Sequence, residues 1–567
     1  MPTRWRLHAC TLLCLAPLAP IALKLFSLQV ARHDDIASKV TALTERTPLE
    51  LLPRGRILDR DGYVLAQSLP AWSSSMDLKV LKSPCGERTS KPGCRPQYDR
   101  LPLVAEALRM DPAEVKRLAR SPRRSVELRS RMGYEEAERL RRLGLKWVAF
   151  YPDEQRSYPN GDLARPLLGS VNDAGRGSSG LERSFESSLV GRSIRLNLMR
   201  DGTGQAILYE PLERPDPPPD IRLTLDRTVQ FFAEDALRSA LERVQAKRGT
   251  AIVQDPATGD ILAMAVVPSD PMHNDAIQDY YEPGSTFKLV TAAASIEQGA
   301  MKPGERIDCE SGRWKVTPSV AVKDHEGRGL LTLEEVIVHS SNIGSAKLGL
   351  RLGAGTFGRF CKLFGFGHKT GIPLPAESPG FLPGEERFDR VRLANAAFGQ
   401  GVAATSLQIL SAYSAVANGG LLMEPRLVLS VGGTSTRPVT VRRTVKPETI
   451  AALTDILARV VEEGTGRSAR VPGYRVAGKT GTAQKIDPKT GRYSETDYVA
   501  TFVGFVPAQA PRFTILVSLD TPQKGHYAAE VAAPVFASLA KQVLAYFGVE
   551  PDQPLPLKPV PASVPNA

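Results

Sequence analysis

Apolar residues recur at two different spacings in the second half of the chain. Some segments repeat them at the interval of one helix face, and others alternate or run continuously as in strands. Because the strand-like segments lie on both sides of a helical middle, the pattern predicts an α+β fold, an antiparallel sheet sandwiched by helices. The expected helices are 227–247 and 531–547, and the expected strands are a hairpin within 250–267 followed by 498–506 and 512–519.

The N-terminal segment contains one long apolar run. Only Lys24 and a few small polar residues interrupt it between residues 7 and 28. A helix of this length spans roughly 30 Å of hydrocarbon, so we expect one transmembrane helix that serves as a membrane anchor. A cleaved signal peptide is the alternative, but a cut after Ala19 would place Pro20 beside the scissile bond. Either interpretation places everything after residue 30 outside the cytoplasm.

Proline-rich segments divide the rest of the chain. The stretch "ERPDPPPD" at 213–220 is a stiff connector between a basic, loop-rich region and a region with clearer periodicity. The last residues are too rich in proline to build a core, and we expect a disordered tail. The predicted organisation is an anchor at 1–30, a non-catalytic pedestal at 31–220, a catalytic domain at 221–550 and the tail at 551–567.

Composition and charge exclude few functions. With 42% hydrophobic and 24% charged residues, the 567-residue chain has an ordinary globular composition. The net charge of +12 would suit nucleic acid, an anionic membrane surface or an acidic polymer equally well. The densest basic segment, 117–142, mixes arginines with glutamates at helical spacing, which is typical of a solvated helix face. We therefore expect no nucleic-acid partner.

The cysteines give one open question and one expectation. Cys85 and Cys94 bracket a short polar loop that a disulfide could close in an oxidising compartment, and the sequence leaves this pairing open. Cys309 and Cys361 have no local partner and are expected to be buried thiols. Cysteines and histidines nowhere show metal-ligand spacing, so we expect no metal and no other cofactor.

The segment "GYRVAGKTG" at 473–481 spells a phosphate-binding loop, but its surroundings do not support one. A phosphate loop leads directly into a helix, whereas the residues up to 491 predict a strand that reaches a turn. ATP is also not supplied outside the cytoplasm. The tripeptide is therefore interpreted as part of a strand, in which Gly481 permits the close approach of another backbone. The same tripeptide at 369–371 and 489–491 is interpreted as a coincidence within loops.

A serine and a lysine with catalytic spacing follow Pro283 and Gly284. The pattern places Ser285 near the start of a helix and Lys288 one turn later on the same face. A lysine with a lowered pKa can take the proton of a serine hydroxyl, and N–H groups at a helix start can stabilise an oxyanion. Ser538 and Lys541 repeat the spacing in an apolar run near the C-terminus, where a packed helix with one solvated face is the better interpretation.

A third motif is the triplet Ser340-Ser341-Asn342. A tight loop would present the hydroxyl of Ser340 and the amide of Asn342 to one cleft. The alternative is a plain N-cap of the helix that begins near Ile343, and both interpretations can hold together. The similar pattern at 170–172 lies in the loop-rich region and is set aside.

The sequence contains three motifs in the order Ser-x-x-Lys, Ser-x-Asn and Lys-Thr-Gly. With them it resembles the class B penicillin-binding proteins, and most closely the septal, cell-division transpeptidases. Glu282 and Asn342 match septal spelling, whereas elongation-type relatives more often have Pro and Asp at these positions. The resemblance covers nearly the whole chain, through "RGRILDRDG" (54–62), "GLE" (180–182), "DAIQDYYEPGSTFK" (275–288), "HSSNIG" (339–344), "FGQG" (398–401), "KTGTA" (479–483) and "AAPVF" (532–536).

The resemblance implies the penicillin-recognising serine transpeptidase fold, an elongated N-terminal pedestal and an acyl-enzyme mechanism. Ser285 would attack the D-alanyl-D-alanine end of a peptidoglycan stem peptide with neutral Lys288 as base, and β-lactam antibiotics would mimic this donor. A neighbouring stem peptide would supply the amine that completes the cross-link. Ser340 and Lys479 would transfer a proton to the leaving D-alanine, and Asn342 would orient Lys288 and the substrate amide. The N–H groups of Ser285 and Thr482 would form the oxyanion hole. The residues implied for substrate binding are Thr480, Gly481 and Thr482.

The resemblance also implies a place in the cell and partners. The chain would cross the bacterial inner membrane once, with its N-terminus in the cytoplasm and its catalytic domain in the periplasm. The pedestal would contact a multispanning glycan polymerase and other division proteins, and residues 54, 55, 59 and 62 would shape that interface. A simple turn between strands is the alternative for these residues, because Asp61-Gly62 is a turn pair.

Three other functions compete with septal cross-linking. One is an elongation-type transpeptidase. Another is a β-lactamase or carboxypeptidase, which would need a deacylating base that no Glu-x-x-x-Asn loop between residues 342 and 479 supplies. A third is a purely structural protein, which three intact motifs disfavour.

The sequence departs from the family pattern at two places. The family commonly has an Arg-Asn pair where this chain has Met272-His273-Asn274, and it commonly has a histidine near Arg165. Neither place touches the three motifs, so the departures bear on partner contacts before chemistry.

Overall fold

The structure of the protein is a computed structural model. Residues 53–82, 97–190, 218–487 and 490–554 are described with their side chains, residues 49–51, 193–200 and 206–211 by their backbone, and the first 38 residues in part. Cys85, Cys94 and most of the tail predicted at 551–567 lie outside the described residues. The chain forms two compact units, Met1–Arg54 with Val190–Pro218 and Gly55–Leu189 with Pro219–Ala567.

The first unit contains an apolar helix and a small sheet. The helix Leu18–Phe26 continues into the π-helical turn Ser27–Ala31, and its apolar side chains are largely exposed. Exposed apolar side chains on a helix would suit contact with lipid, and the predicted anchor stays a prediction. The sheet is antiparallel and has the order Leu49–Leu51, Ser193–Arg200 and Ala206–Pro211.

A five-stranded antiparallel sheet forms the centre of the second unit. Successive side chains of its strands point to opposite faces, so that Ile252 and Leu516 enter one hydrophobic core while Val253 and Ile515 enter the other. The strands have the spatial order Ile261–Val267, Arg248–Gln254, Phe513–Asp520, Tyr493–Val506 and Ala477–Ile486.

Helices cover both faces of this sheet. Arg227–Val244 and Ala533–Tyr546 pack against each other on one face, and the almost fully buried Ser406–Ala417 covers the other. The predicted α+β fold with an antiparallel sheet between helices is confirmed. The remaining helices of the catalytic region are Asp275–Gln278, Lys288–Glu297, Leu333–Val338, Asn342–Leu352, Ala354–Leu363, Arg390–Ala396, Pro447–Glu462 and Ala528–Val531.

Short paired strands complete the catalytic region. They join loops between the helices and lie outside the central sheet. The pairs are Tyr280–Tyr281 with Ala404–Thr405, Ile307–Asp308 with Leu330–Leu331, Arg313–Lys315 with Ala321–Lys323, and Leu421–Met423 with Thr440–Arg443.

Residues 55–189 share a second sheet with the catalytic region. In this seven-stranded sheet, Ile57–Leu58 pairs in parallel with Ile221–Leu223, so main-chain pairing runs across the boundary predicted at residue 220. The predicted domain boundaries stay predictions. The sheet has the order Thr434–Ser435, Val428–Val431, Ile221–Leu223, Ile57–Leu58, Val64–Asp77 and Ser125–Met132, and Val148–Ser157 also pairs with Val64–Asp77.

The basic segment 117–142 is solvated as predicted, but its expected helix is wrong in the middle. Ser125–Met132 is a strand that pairs with Val64–Asp77, with Leu128 and Met132 buried. Cross-strand pairing and burial of alternate apolar residues outweigh the local helical spacing of the charges. The pedestal helices are Leu78–Lys82, Leu101–Ala107, Pro112–Ala119, Tyr134–Arg141, Arg165–Leu168, Gly180–Ser184 and Glu186–Leu189.

Among the described residues, one helical stretch is long and apolar enough to cross a membrane. It is Ala528–Tyr546, and more than half of it is buried inside the protein. Phe536 and Leu539 pack in the core beside the central sheet. This stretch therefore belongs to the folded core.

A buried ion pair holds the pedestal strand Val148–Ser157 to the helix Gly180–Ser184. Arg156 Nε lies 2.7 Å from Glu182 Oε1, and the two side chains are 3% and 0% exposed. Arg156 also donates to the carbonyl of Gly55 at 2.8 Å. The ion pair thus ties three separate pieces of the pedestal together inside the protein.

We expect Glu182→Ala to lower the free energy of unfolding by about 3–5 kcal/mol, because the buried guanidinium of Arg156 would lose its counter-charge. Denaturant unfolding of the purified protein measures this. The control Glu326→Ala removes the solvent-exposed pair with Arg328 and should change stability by about 1 kcal/mol or less. Equal effects of the two variants would contradict the prediction.

Candidate active site

Ser285 lies in a single 3₁₀ turn, Gly284–Phe287, that runs into the helix Lys288–Glu297. Gly284 has a φ of +52°, a left-handed conformation that glycine adopts readily. Gly399 of the "FGQG" segment packs against this turn so closely that a Cβ there would lie 2.1 Å from the carbonyl oxygen of Gly284. The turn is therefore held by a backbone contact that requires glycine at position 399.

The hydroxyl of Ser340 lies at the centre of the site. It donates a hydrogen bond to Ser285 Oγ at 3.0 Å, and it accepts hydrogen bonds from Lys288 Nζ at 3.1 Å and from Lys479 Nζ at 3.0 Å. Three motifs that are far apart in the sequence thus meet at one oxygen atom. In the described contacts, Ser285 reaches Lys288 only through Ser340.

The Ser340–Asn342 loop joins the helices Leu333–Val338 and Asn342–Leu352. Ser340 has a φ of +59°, which is unusual for a residue with a β-carbon. Ser341 is the N-cap, since its Oγ accepts a hydrogen bond from Gly344 N at 2.9 Å. Both interpretations of the triplet are therefore confirmed: one serine caps the helix, while Ser340 and Asn342 face the site.

Lys288 is fully buried and donates three hydrogen bonds. Its Nζ lies 2.5 Å from the carbonyl oxygen of Ser340, 2.8 Å from Asn342 Oδ1 and 3.1 Å from Ser340 Oγ. Asn342 uses its other end, Nδ2, to donate to the carbonyl of Lys323 at 3.0 Å. The amide is thus oriented with its oxygen toward the lysine.

Lys479 lies on the edge strand Ala477–Ile486, and its side chain is fully buried. The predicted role of Gly481 in a close approach is confirmed. A Cβ at this position would lie 2.8 Å from Thr286 Cγ2 and 2.9 Å from the carbonyl oxygen of Pro283. The strand can therefore pass directly beside the turn that carries Ser285.

The two lysines have strongly altered acidities. Burial and the neighbouring charge of Lys479 hold the pKa of Lys288 well below its usual range, although Asp324 acts in the opposite direction. Burial alone lowers the pKa of Lys479 to about 7. Because Lys288 experiences both burial and a like charge, we expect it to lose its proton before Lys479 does.

Thr480 and Thr482 have partners within the protein. Thr480 Oγ1 lies 2.9 Å from Thr465 Oγ1, and Thr482 Oγ1 accepts a hydrogen bond from Ala528 N at 3.0 Å. Because Thr482 accepts from that amide, its own hydroxyl hydrogen can be donated to a ligand. Their role in substrate binding stays a prediction.

The sequence repeats of the motifs lie elsewhere, as predicted. Ser538 and Lys541 are exposed on the helix Ala533–Tyr546, whose other side is buried. Gly371 and Gly491 lie in loop or turn conformations with φ of +90° and +66°, and Lys489 lies outside the described residues. Ser170 contacts the hydroxyls of Ser178 and Ser179 in the pedestal.

The prediction that Cys309 and Cys361 are buried thiols is confirmed. The absence of a metal stays a prediction. In the described residues, His273, Asp275 and Asp279 could offer ligand atoms within 4.8 Å of one another. Arg248 already lies 3.2 Å from Asp275 and 3.7 Å from Asp279, so these carboxylates have a counter-charge.

Sequence reasoning missed Asp324. It lies after the strand Ala321–Lys323, and its carboxylate binds the start of the helix Asn342–Leu352. Neither a motif nor a periodicity connects residue 324 with residue 342. Only a neighbouring lysine and histidine surround it in the sequence, and these carry no signal for such a contact.

Comparison with known proteins agrees with this geometry. Residues 249–541 match the family "Penicillin binding protein transpeptidase domain", and residues 50–223 match the "Penicillin-binding Protein dimerisation domain". The chain belongs to the class B penicillin-binding proteins. As a penicillin-binding protein it has the predicted serine-based transpeptidase domain and the predicted recognition of β-lactams.

Individual relatives of this penicillin-binding protein cover almost its whole length. It is 32% identical over 549 residues to the probable peptidoglycan D,D-transpeptidase PenA of Neisseria gonorrhoeae, covering 93% of this chain and 90% of that one. It is also 32% identical to the stage V sporulation protein D of Bacillus subtilis, over 91% and 82% of the two chains. A crystal structure of penicillin-binding protein 3 from Mycobacterium tuberculosis complexed with aztreonam matches with a TM-score of 0.67 and 27% identity, over 90% and 100% of the chains.

The two departures from the family pattern lie away from the three motifs. Arg165 stacks on the ring of Tyr158 at 3.6 Å in the pedestal. His273 Nε2 lies 2.8 Å from Asp279 Oδ1, before the strand Tyr280–Tyr281. In this penicillin-binding protein, both residues therefore contact groups other than Ser285, Lys288 and Lys479.

Proposed function

We propose that this protein cross-links peptidoglycan as a D,D-transpeptidase, with Ser285 forming an acyl-enzyme on the D-alanyl-D-alanine end of a stem peptide. The observation that carries this proposal is the Ser340 hydroxyl, which contacts Ser285, Lys288 and Lys479 at about 3 Å each. Such an arrangement supplies a nucleophile, a base and a cation in one water-poor place.

Acylation begins with proton removal from Ser285. Loss of one proton leaves Lys288 with two N–H donors and a lone pair, so its contact with Ser340 Oγ reverses. The lone pair then takes the hydroxyl hydrogen of Ser340, while Ser340 rotates to accept the hydrogen of Ser285. The activated oxygen of Ser285 attacks the penultimate carbonyl. The contacts Lys288–Ser340 and Ser340–Ser285 support Lys288 as the base of this proposal, acting through Ser340.

The oxyanion forms between the Ser285 turn and the edge strand. A Cβ on Gly284 would lie 3.5 Å from the carbonyl oxygen of Thr482, so the two backbones are adjacent there. The N–H groups of Ser285 and Thr482 are the donors in this proposal. Thr480 and Thr482 bind the terminal carboxylate, close to the positive charge of Lys479.

The leaving D-alanine receives a proton through Ser340, and an amine then resolves the acyl-enzyme. Lys479 stabilises negative charge on Ser340 during the first transfer. Asn342 orients Lys288 and the substrate amide. An amine from a neighbouring stem peptide attacks the ester of Ser285, which creates the cross-link and regenerates the serine.

We propose a septal role during cell division, in the inner membrane. Glu282 and Asn342 carry the spelling that favours septal over elongation-type use. The apolar helix Leu18–Phe26 supports a membrane anchor. The proposed orientation has the N-terminus in the cytoplasm and the catalytic domain in the periplasm. The pedestal is the surface proposed for the glycan polymerase and other division proteins.

The turn between Ile57–Leu58 and Val64–Asp77 belongs to that surface. Asp59 Oδ1 accepts hydrogen bonds from Asp61 N and Tyr63 N, and Gly62 has a φ of +94°. These contacts explain why residues 59–63 form a turn.

We expect Ser285→Ala to abolish labelling by a fluorescent penicillin, because the acyl-enzyme ester requires the hydroxyl of residue 285. Labelling after denaturing electrophoresis measures this. The matched control Ser538→Ala changes the repeated motif on the exposed helix face and should label like the parent protein. Residual labelling of the Ser285 variant would refute the assignment of the nucleophile.

Transpeptidation and hydrolysis differ in their products. We expect a donor thioester to be converted mainly to the aminolysis product when a D-amino acid is present as acceptor, because the acyl-enzyme of a transpeptidase reacts faster with an amine than with water. Mass spectrometry of the products gives the ratio of aminolysis to hydrolysis. A product that is only hydrolysed, at any acceptor concentration, would favour the carboxypeptidase alternative.

Replacement of Lys479 tests the electrostatics. We expect Lys479→Met to slow penicillin acylation roughly 100-fold through loss of the cation. Because the charge of Lys479 lowers the pKa of Lys288, its removal raises that pKa, and the acid limb of the pH–rate profile moves to higher pH.

The control for this variant is Lys485→Met on the same strand. Lys485 pairs with Asp520 at 2.7 Å and lies outside the site. Its replacement should leave the acid limb in place. A shift of the limb to lower pH in the Lys479 variant would show that the charges were assigned wrongly.

A further inference from the structure

The carboxylate of Asp324 binds the residues that directly follow Ser340 in the Ser340–Asn342 loop. Its Oδ1 accepts hydrogen bonds from the backbone N–H groups of Asn342 at 2.6 Å and Ile343 at 3.0 Å. Its Oδ2 accepts from Ser341 Oγ at 2.6 Å. One carboxylate therefore satisfies donors of three consecutive residues, immediately after Ser340.

We propose that Asp324 is the positioning residue of the active site, which holds Ser340 and Asn342 in the geometry needed for acylation. This inference rests on the proposed function. Asp324 does not itself touch Ser285 or the reacting atoms in the described contacts. It acts through the loop that does.

The first reason is the backbone of Ser340. A φ of +59° is unfavourable for a residue with a β-carbon, so neighbouring contacts have to maintain it. On the side of the cleft, Lys288 Nζ donates to the carbonyl of Ser340 at 2.5 Å. On the other side, Asp324 fixes the next residues of the loop. Without the carboxylate, the donors of Ser341, Asn342 and Ile343 would lose the contact that fixes the segment directly after Ser340.

The second reason is the amide of Asn342. Asp324 follows the hairpin formed by Arg313–Lys315 and Ala321–Lys323, and the carbonyl of Lys323 in this hairpin accepts from Asn342 Nδ2 at 3.0 Å. This contact directs Oδ1 toward Lys288 at 2.8 Å. A flipped amide would present hydrogens to the lysine instead. Asp324 keeps the backbone of Asn342 against the hairpin, so the amide orientation depends on it.

The third reason is charge. Lys479 on the edge strand and Asp324 after the hairpin are the charged groups that act on Lys288. The positive charge of Lys479 lowers the pKa of Lys288, and the negative charge of Asp324 raises it. The two therefore oppose each other, and Asp324 limits how weak a base Lys288 becomes.

Two variants separate geometry from charge. Asp324→Asn keeps an oxygen that can accept from the N–H groups of Asn342 and Ile343 but removes the charge. Asp324→Ala removes both. The control is Asp308→Asn, because Asp308 also accepts a backbone hydrogen bond, from Glu310 N at 2.8 Å, but belongs to a different strand pair.

The measurement is the rate constant for acylation of the full-length protein by a fluorescent penicillin as a function of pH. We expect the acid limb of Asp324→Asn to move to lower pH, because Lys288 loses the charge that raises its pKa. We expect Asp324→Ala to acylate roughly 100-fold more slowly, because Ser340 and Asn342 would be displaced and a shift of about 1 Å in a reacting group costs about that factor. Asp308→Asn should match the parent protein.

Each possible result either supports or contradicts the proposed role of Asp324. It is overturned if Asp324→Asn has the parent acid limb, or if a folded Asp324→Ala acylates within about twofold of the parent rate. Thermal unfolding identifies a variant that fails to fold, and the acid limb of Asp324→Asn then decides alone. If the parent protein itself fails to acylate at Ser285, the proposed function fails, which is a distinct result.

Discussion

Two lysine side chains buried around one hydroxyl are the constraint on which the active site depends. Removing an ammonium group from water is unfavourable, and placing a second one beside it adds repulsion. Hydrogen bonds offset part of this unfavourable free energy. The lysines donate them to the hydroxyl and carbonyl of Ser340 and to the amide oxygen of Asn342. The same burial lowers the lysine pKa values, so the feature that disfavours folding locally is the one that creates a base.

The scaffold keeps this arrangement rigid. Lys479 comes from the edge of a five-stranded sheet, and Ser285 from the turn before a buried helix. These two pieces approach each other closely because Gly481 has no side chain at the contact. The Ser340 loop completes the site from a third direction. Each group is thus held by an element whose own packing does not depend on a ligand, which is the condition for preorganised catalysis.

The pedestal is joined to the catalytic region by more than a linker. Ile57–Leu58 and Ile221–Leu223 pair within one sheet, and Glu234 of the helix Arg227–Val244 accepts a hydrogen bond from Ala164 N at 2.8 Å. The strand pairing and this buried hydrogen bond both satisfy backbone groups of the pedestal with partners in the catalytic region. Residues 55–189 therefore support the helix and sheet on which the site is built, in addition to any partner they bind.

The sequence by itself determined the helices Arg227–Val244 and Ala533–Tyr546 and the strands of the central sheet, because periodicities of 3.6 and 2 are local properties of a chain that buries one side of each element. It also identified Ser285, Lys288, Ser340, Asn342 and Lys479 as candidates, since their spacings are short-range. Only the tertiary structure decided that Ser125–Met132 is a strand, that Ser285 contacts Ser340, and that Asp324 binds behind Asn342. These are contacts between distant segments, and their partners are selected by packing and burial that no local pattern encodes.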